Sequence, residues 1–158
     1  MWIGGDVLAP GPPEREIQII DVRDLAQWIV RMIERRLDGA FNATGPQAPL
    51  RFGSFLETCG ALSQAKVSMH WASPSFLKAA GVAPWTEMPM WLPPEEGDSW
   101  DTISSRKAQQ HGLSFRVLTE TVQDTLEWDR QRALAPLVCG ISPARERDLL
   151  SELLSGAN

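Results

Sequence analysis

Tyrosine is absent from this chain of 158 residues, so no phenol is available for proton transfer. No Gly-x-x-Gly-x-x-Gly or Gly-x-Gly-x-x-Gly turn occurs, and the chain has no ready cradle for a dinucleotide pyrophosphate. Basic residues are in the minority: 15 Lys and Arg stand against 20 Asp and Glu, a net charge of −5. That balance argues against nucleic acid and anionic membrane as partners, since both require a concentrated basic surface. The two cysteines, Cys59 and Cys139, have neither a Cys-x-x-Cys neighbour nor a nearby histidine. Zinc and redox roles therefore lack support, and a small buried hydrophobe is the expected role. No serine sits in a Gly-x-Ser-x-Gly elbow, which removes that hydrolase class. No apolar segment follows Met1 as a leader would, and none approaches the length of a membrane span, so a reducing cytoplasm is the expected setting.

What is present is an ordinary globular composition, 43% apolar and 22% charged, of a length that suits one domain over residues 1–158. Residues 1–16 read as loop, because Gly4-Gly5 and Pro10-Gly11-Pro12-Pro13 bring unusual φ values and missing donors. Ile17–Ile20 is a short β-branched run and reads as a strand. Asp21 stands at a helix N-cap, ahead of Val22, Leu25, Ala26, Ile29, Met32, Ile33 and Leu37 at three- and four-residue spacing. That spacing predicts one apolar stripe on a helix ending at Asp38-Gly39. The basic cluster Arg31, Arg35 and Arg36 on it, interrupted by Glu34, reads as a solvated face. Ala40–Thr44 reads as a second strand, closed by Gly45-Pro46.

A second amphipathic helix carries Phe52, Phe55, Leu56, Cys59 and Leu62, and Lys66–Trp71 alternates as a half-buried strand should. Ser73-Pro74 opens a short helix that Gly81 closes. From Pro84 to Trp100 tryptophan, proline and acidic residues crowd together, and no periodicity survives so many prolines. Further helices are expected from Ser104 or Ser105 to Gln110, from about Thr119 to Arg132, and from Ser142-Pro143 onward. Phe115–Leu118 is expected as an edge strand.

Asp21 is most simply a cap, with a catalytic acid as the distant second role. Arg23 and Asp24 follow on the first helical turn, either as a surface pair or, near a strand C-terminus, as a contact to a ligand. Trp85 and Trp91 form either a satellite hydrophobic cluster or the wall of a substrate pocket. His70 and His111 read as a strand-face residue and a helix terminus. Glu95, Glu96, Asp98 and Asp101 read as a solvated acidic loop, because nothing fixes them around a metal.

Taken in order, Ile17–Ala26, Phe41-Asn42-Ala43-Thr44-Gly45-Pro46, the stretch from Val82-Ala83-Pro84-Trp85 to Trp91-Leu92-Pro93, and the stretch from Gly112-Leu113-Ser114-Phe115-Arg116 to Glu127-Trp128 resemble the C-terminal half of NAD-dependent epimerase/dehydratase enzymes. These are the extended branch of the short-chain dehydrogenase/reductase family, and the similarity covers nearly the whole chain. It implies an α/β fold, the C-terminal part of a Rossmann-like enzyme, with a few partly parallel strands, packed helices and a small substrate-binding lobe. The family's Tyr-x-x-x-Lys pair and its glycine-rich turn are missing here. The resemblance therefore implies NAD or NADP for the intact enzyme, while this chain by itself is expected to hold no cofactor and no catalytic residue.

Nucleotide-sugar epimerases of the family commonly place an Arg just ahead of the strand corresponding to Gln18–Ile20, and Ile17 stands there instead. A smaller carbonyl or hydroxyl substrate is expected, touched by Trp85, Trp91 and Arg23. Arg106 and Arg116, in the part that resembles the substrate lobe, join them as candidates because a guanidinium makes a planar anion clamp. Three organisations fit: a portion that works beside a separate N-terminal half, a stand-alone binding or homodimerising module derived from such an enzyme, and a truncated product without function.

Overall fold

The leader marked as loop by its glycines and prolines holds a strand. The computed structural model describes residues 4–94, 103–132 and 139–156. In chain order its elements are β1 (Gly5–Pro10), β2 (Glu16–Ile17), α1 (Val22–Glu34), β3 (Leu50–Arg51), α2 (Phe52–Ser63), β4 (Val67–Ala72), α3 (Pro74–Ala79), α4 (Arg106–Gln110), α5 (Leu118–Gln131) and α6 (Pro143–Ser155). The architecture is mixed α/β with a small parallel sheet and packed helices.

β1 pairs in parallel with β4, from Gly5 opposite Val67 to Pro10 opposite Ala72. Val7-Leu8-Ala9 is a continuous apolar run, as a strand covered by neighbours requires, rather than an alternating one. Pro10 is tolerated because it ends the strand. α6 packs on β1, and its Glu146 carboxylate accepts a hydrogen bond from the Leu8 N–H at 3.0 Å. The side chain thereby blocks part of the strand edge that would otherwise invite pairing.

The expected strand at Ile17–Ile20 shrinks to the two residues of β2, antiparallel to β3 with Ile17 opposite Leu50. Ile17 is buried there, so this segment has a partner within the chain. Ala40–Thr44 and Phe115–Leu118 form no strand. Their side chains supply the reason: Phe41, Ala43 and Phe115 insert into the cluster around Trp28, Ala108 and Leu113, and packing takes the place of a ladder.

Three of the helices begin on a side-chain cap, while α2, α4 and α5 have none. Asp21 accepts from Arg23 N–H at 2.8 Å at the start of α1, Ser73 accepts from Phe76 N–H at 3.1 Å, and Ser142 accepts from Arg145 N–H at 3.3 Å. In the last two a proline follows the cap, where its missing N–H costs nothing. α1 stops four residues earlier than expected. Arg36 takes the left-handed conformation at φ 51°, and Leu37 N–H returns to Met32 C=O at 2.9 Å, the closure that glycine usually provides.

The apolar residues of α1 do not form one stripe. Leu25, Trp28 and Met32 pack inward, whereas Val22, Ala26, Ile29, Val30 and Ile33 face outward and are exposed. A second cluster unites Leu8, Ala72, Leu77, Val82, Met88, Trp91, Leu149 and Leu150, joining β1, β4, α3 and α6. Among the described residues no helix is long and apolar enough to cross a membrane.

Candidate functional site

Asp21 does more than cap α1. Its side chain is buried, and Arg23 folds back on it with Nε 2.9 Å from Oδ1 and Nη2 2.7 Å from Oδ2. Thr121 of α5 donates its hydroxyl to Oδ2 at 2.8 Å. The remaining Arg23 nitrogen, Nη1, is hydrogen-bonded to Asp124. One turn into α1, buried Asp24 receives Arg116 Nε at 2.8 Å and the Arg116 backbone N–H at 2.9 Å. This network joins the start of α1 to α5 and to the stretch that precedes it.

The Arg23 hydrogen bonds hold the Asp21 carboxyl well below the usual carboxylate range, against the opposing effect of burial, with help from Thr121 and from the charge of Arg116. The same contacts raise Arg23 above its ordinary value, and Asp24 does so for Arg116. Asp21 is thus a permanent anion at neutral pH and has no proton to give, which removes it as a general acid. Three carboxylates face two guanidiniums, one net negative charge, and each Arg23 guanidinium nitrogen already serves a carboxylate. Arg23, expected as a surface pair or a substrate contact, and Arg116, expected as an anion clamp, are both engaged with carboxylates in this network. An adjoining cleft of about 530 Å³ runs between Ile20–Arg23 and the face of α5 bearing Thr121, Asp124, Thr125 and Trp128.

Arg106 lies elsewhere. It opens α4 and lines a second cleft of about 340 Å³, with Glu16–Gln18, Gly45–Leu50, Ile103–Ser105 and Gln109. Gln18 shapes this cleft: its amide donates to Ile103 C=O at 2.8 Å and accepts from Ile103 N–H at 3.1 Å, as a strand neighbour would. Gln109 is held by Ser105 Oγ at 2.9 Å. Arg106 is exposed and makes no ion pair among the described residues, so its planar donors face the cleft's solvent unspent. Gly45 sets the floor. A β-carbon there would fall 2.6 Å from the Phe115 ring and 2.9 Å from Ile19 C=O, so only glycine fits unstrained.

The two tryptophans part company. Trp91 is 2% exposed in the cluster of β1, β4, α3 and α6, while Trp85 is 53% exposed, and neither lines the two clefts. Of the two alternatives for these residues, Trp91 takes the hydrophobic-cluster one. The acidic run Glu95, Glu96, Asp98 and Asp101, together with Trp100, lies outside the described residues. Cys59 is half-buried, and burial pushes its thiol up to about 11, the inert state expected of it. Cys139 is exposed, unlike the buried role expected of it. His70 pairs with Asp6 at 2.8 Å on the strand surface, and His111 closes α4 with Nδ1 2.8 Å from Lys107 C=O. No group of three or more potential metal ligands occurs among the described residues.

Thr121, Asp124, Gln18 and Gln109 were not singled out from sequence. For the first two a signal exists: Thr121, Asp124, Thr125 and Trp128 recur at helical spacing and so share one face of α5. Comparison with family models, with curated proteins and with solved structures finds no match to this chain.

Proposed function

We propose that this chain is the substrate-enclosing portion of an NAD- or NADP-dependent oxidoreductase of the epimerase/dehydratase kind. It works beside a Rossmann-type half that supplies the cofactor turn and the Tyr-x-x-x-Lys pair. Its own part is binding, and alone it catalyses nothing. The observation that carries this reading is the Arg106 cleft. Its volume is that of a small-molecule site, and a guanidinium with no ion pair among the described residues stands beside the amides of Gln18 and Gln109. Such a set suits a small molecule that carries a carbonyl or hydroxyl together with a carboxylate. It does not suit a nucleotide sugar, because Ile17 stands where a diphosphate-gripping arginine would and is buried under β3. The ordered resemblance of Ile17–Ala26, Phe41–Pro46 and Gly112–Trp128 to that family supports the same reading.

The test is protein-detected NMR titration with pyruvate and lactate as probes. Millimolar binding should shift the side-chain signals of Arg106 and Gln18, and Arg106→Ala should weaken it about tenfold or more, the loss of one charge-assisted pair. Shifts at the Asp21–Trp128 cleft, or none, would remove the reading. Calorimetric titration with NAD and with NADP should show no saturation at micromolar ligand, since no glycine-rich turn presents amides to a pyrophosphate.

A further inference from the structure

The outward face of α1, apart from Val22 at its N-terminal end, is a feature that neither cleft uses. Val22 is 74%, Ile29 49%, Val30 53% and Ile33 72% exposed, and Ala26 lies among them. At 3.6 residues per turn these five fall on one stripe, while Leu25, Trp28 and Met32 occupy the next, so the helix is apolar over roughly 200° of its circumference. Only the inner part is covered. At the N-terminal end the bare stripe runs into the cleft that Val22 shares with Ile20, Thr125 and Trp128, and Trp128 is itself 60% exposed.

We infer that this face binds a second copy of the chain, α1 against α1, antiparallel about a two-fold axis near Gln27 and Trp28. Three observations select that occupant. The first is area: the four aliphatic side chains and Trp128 expose roughly 400 Å² of apolar surface, at about 100 Å² per aliphatic side chain and about 250 Å² for an indole. A standard interface buries about 800 Å² per partner, a little over half of it apolar. The patch therefore matches the apolar share of a stable dimer.

The second observation is shape. Antiparallel pairing brings Ile33 of each copy over Val22 of the other, beside the cleft walled by Trp128, while Ala26 near the axis lets the helices approach closely. The contact is isologous and closes with two copies. The third is charge. Just past the C-terminal end of α1 lie Arg35 and exposed Arg36, which with Arg31 outnumber Glu34 and Asp38, and the N-terminal end lies beside Asp124 of α5, which is paired with Arg23 next to Asp21 and Asp24. Only the antiparallel arrangement lays each basic end over the other copy's acidic one. The strand edges offer less, since Ile17 is paired by Leu50 and the Leu8 N–H by Glu146.

Sedimentation equilibrium of the full chain across a wide concentration range tests this inference. A monomer–dimer equilibrium is expected. Ile33→Glu should raise the dissociation constant about 100-fold, because an isologous interface contains the substituted residue twice and each copy loses about tenfold. Its circular dichroism should match the parent, as Ile33 touches solvent; should it unfold, Val22→Lys makes the same test at the opposite end of the stripe. Arg36→Glu should weaken the dimer, and adding Asp124→Arg should restore it. A parent chain that stays monomeric overturns the inference. So does a dimer that survives Ile33→Glu or Val22→Lys with the fold intact, or a charge pair that shows no rescue. The Arg106 experiment reads a different cleft, so either proposal can fail while the other stands.

Discussion

The two hydrophobic clusters are built on opposite principles. Around Trp91 the backbone runs in a parallel ladder, β1 on β4, with helices on it, so its polar groups are met by each other and apolar volume completes the region. Around Trp28 most of the backbone contributed by residues 37–43 and 111–117 is irregular. There side chains supply the missing partners. Arg31 donates to Gly112 C=O, Arg35 to His111 C=O at 3.4 Å, Lys107 to Ala40 C=O at 2.8 Å, and Asn42 to Ser104 C=O at 3.3 Å. Backbone groups outside a ladder take their partners from side chains or from water. The second solution leaves clefts, and both candidate clefts border this region rather than the ladder.

The largest expected effect tests the ladder-built cluster. Trp91→Ala should cost about 4 kcal/mol in urea denaturation, the usual penalty for truncating a core aromatic. Trp91 Nε1 is buried without a hydrogen-bond partner among the described residues, so Trp91→Phe, which removes that orphaned donor, should cost far less. Equal losses for the two variants would mean that the indole nitrogen is satisfied and that the cluster is not purely apolar.

Next in size is Asp21→Asn, which strikes the side-chain-built region. It removes the charge that Arg23 and Thr121 surround and leaves Arg116 without part of its counterion, so about 3 kcal/mol is expected. The sign with pH follows from the lowered carboxyl: its stabilisation is fully present above the unfolded carboxylate range near pH 4, and it fades as pH falls toward the folded value. Acid titration of the parent should show stability falling below about pH 4, and the variant should show a shallower fall over the same range. Parallel acid limbs would show that the network adds nothing to folding.

Third is Gly45→Ala, beside Phe115 of the side-chain-built region. The added β-carbon meets both the Phe115 ring and Ile19 C=O, and the backbone oxygen cannot swing aside as a side chain can. Overpacking of this kind costs about 2 kcal/mol. The thermal midpoint should drop accordingly, and the Arg106 cleft should be disturbed with it.

The same contrast decides what could be read from the sequence. Caps and helix starts were legible at Asp21, Ser73-Pro74 and Ser142-Pro143 because their chemistry is local, as were the alternation behind β4 and the span of α5. β1 was not, because its partner lies some sixty residues along the chain and its flanking glycines and prolines carry loop chemistry of their own. Ala40–Thr44 and Phe115–Leu118 have strand-like composition, yet the first and residues 115–117 are irregular and Leu118 opens α5, with Phe41, Ala43 and Phe115 packed into the Trp28 cluster instead of a ladder. Of the candidate site, Arg23, Arg106 and Arg116 could be named one by one. That Arg116 is spent on Asp24, 92 residues away, and Arg106 on no carboxylate among the described residues is a fact of tertiary structure that spacing does not encode.

The smallest effect is expected at Trp85, and it separates the two tryptophans that composition had grouped together. Trp85 sits in the left-handed region at φ 58°, a conformation that costs a residue with a β-carbon about 1 kcal/mol and costs glycine almost nothing. Its indole is more than half exposed, so little burial is lost when it is removed. Trp85→Gly gives up that partial contact and makes the unfolded chain freer, but it relieves the backbone. These terms offset to within about 0.5 kcal/mol of the parent. Chemical denaturation would read that value beside the far larger loss at Trp91, and the NMR titration with pyruvate would be unchanged, because Trp85 borders neither cleft. A loss of 2 kcal/mol or more would show that the indole belongs to the packed core after all.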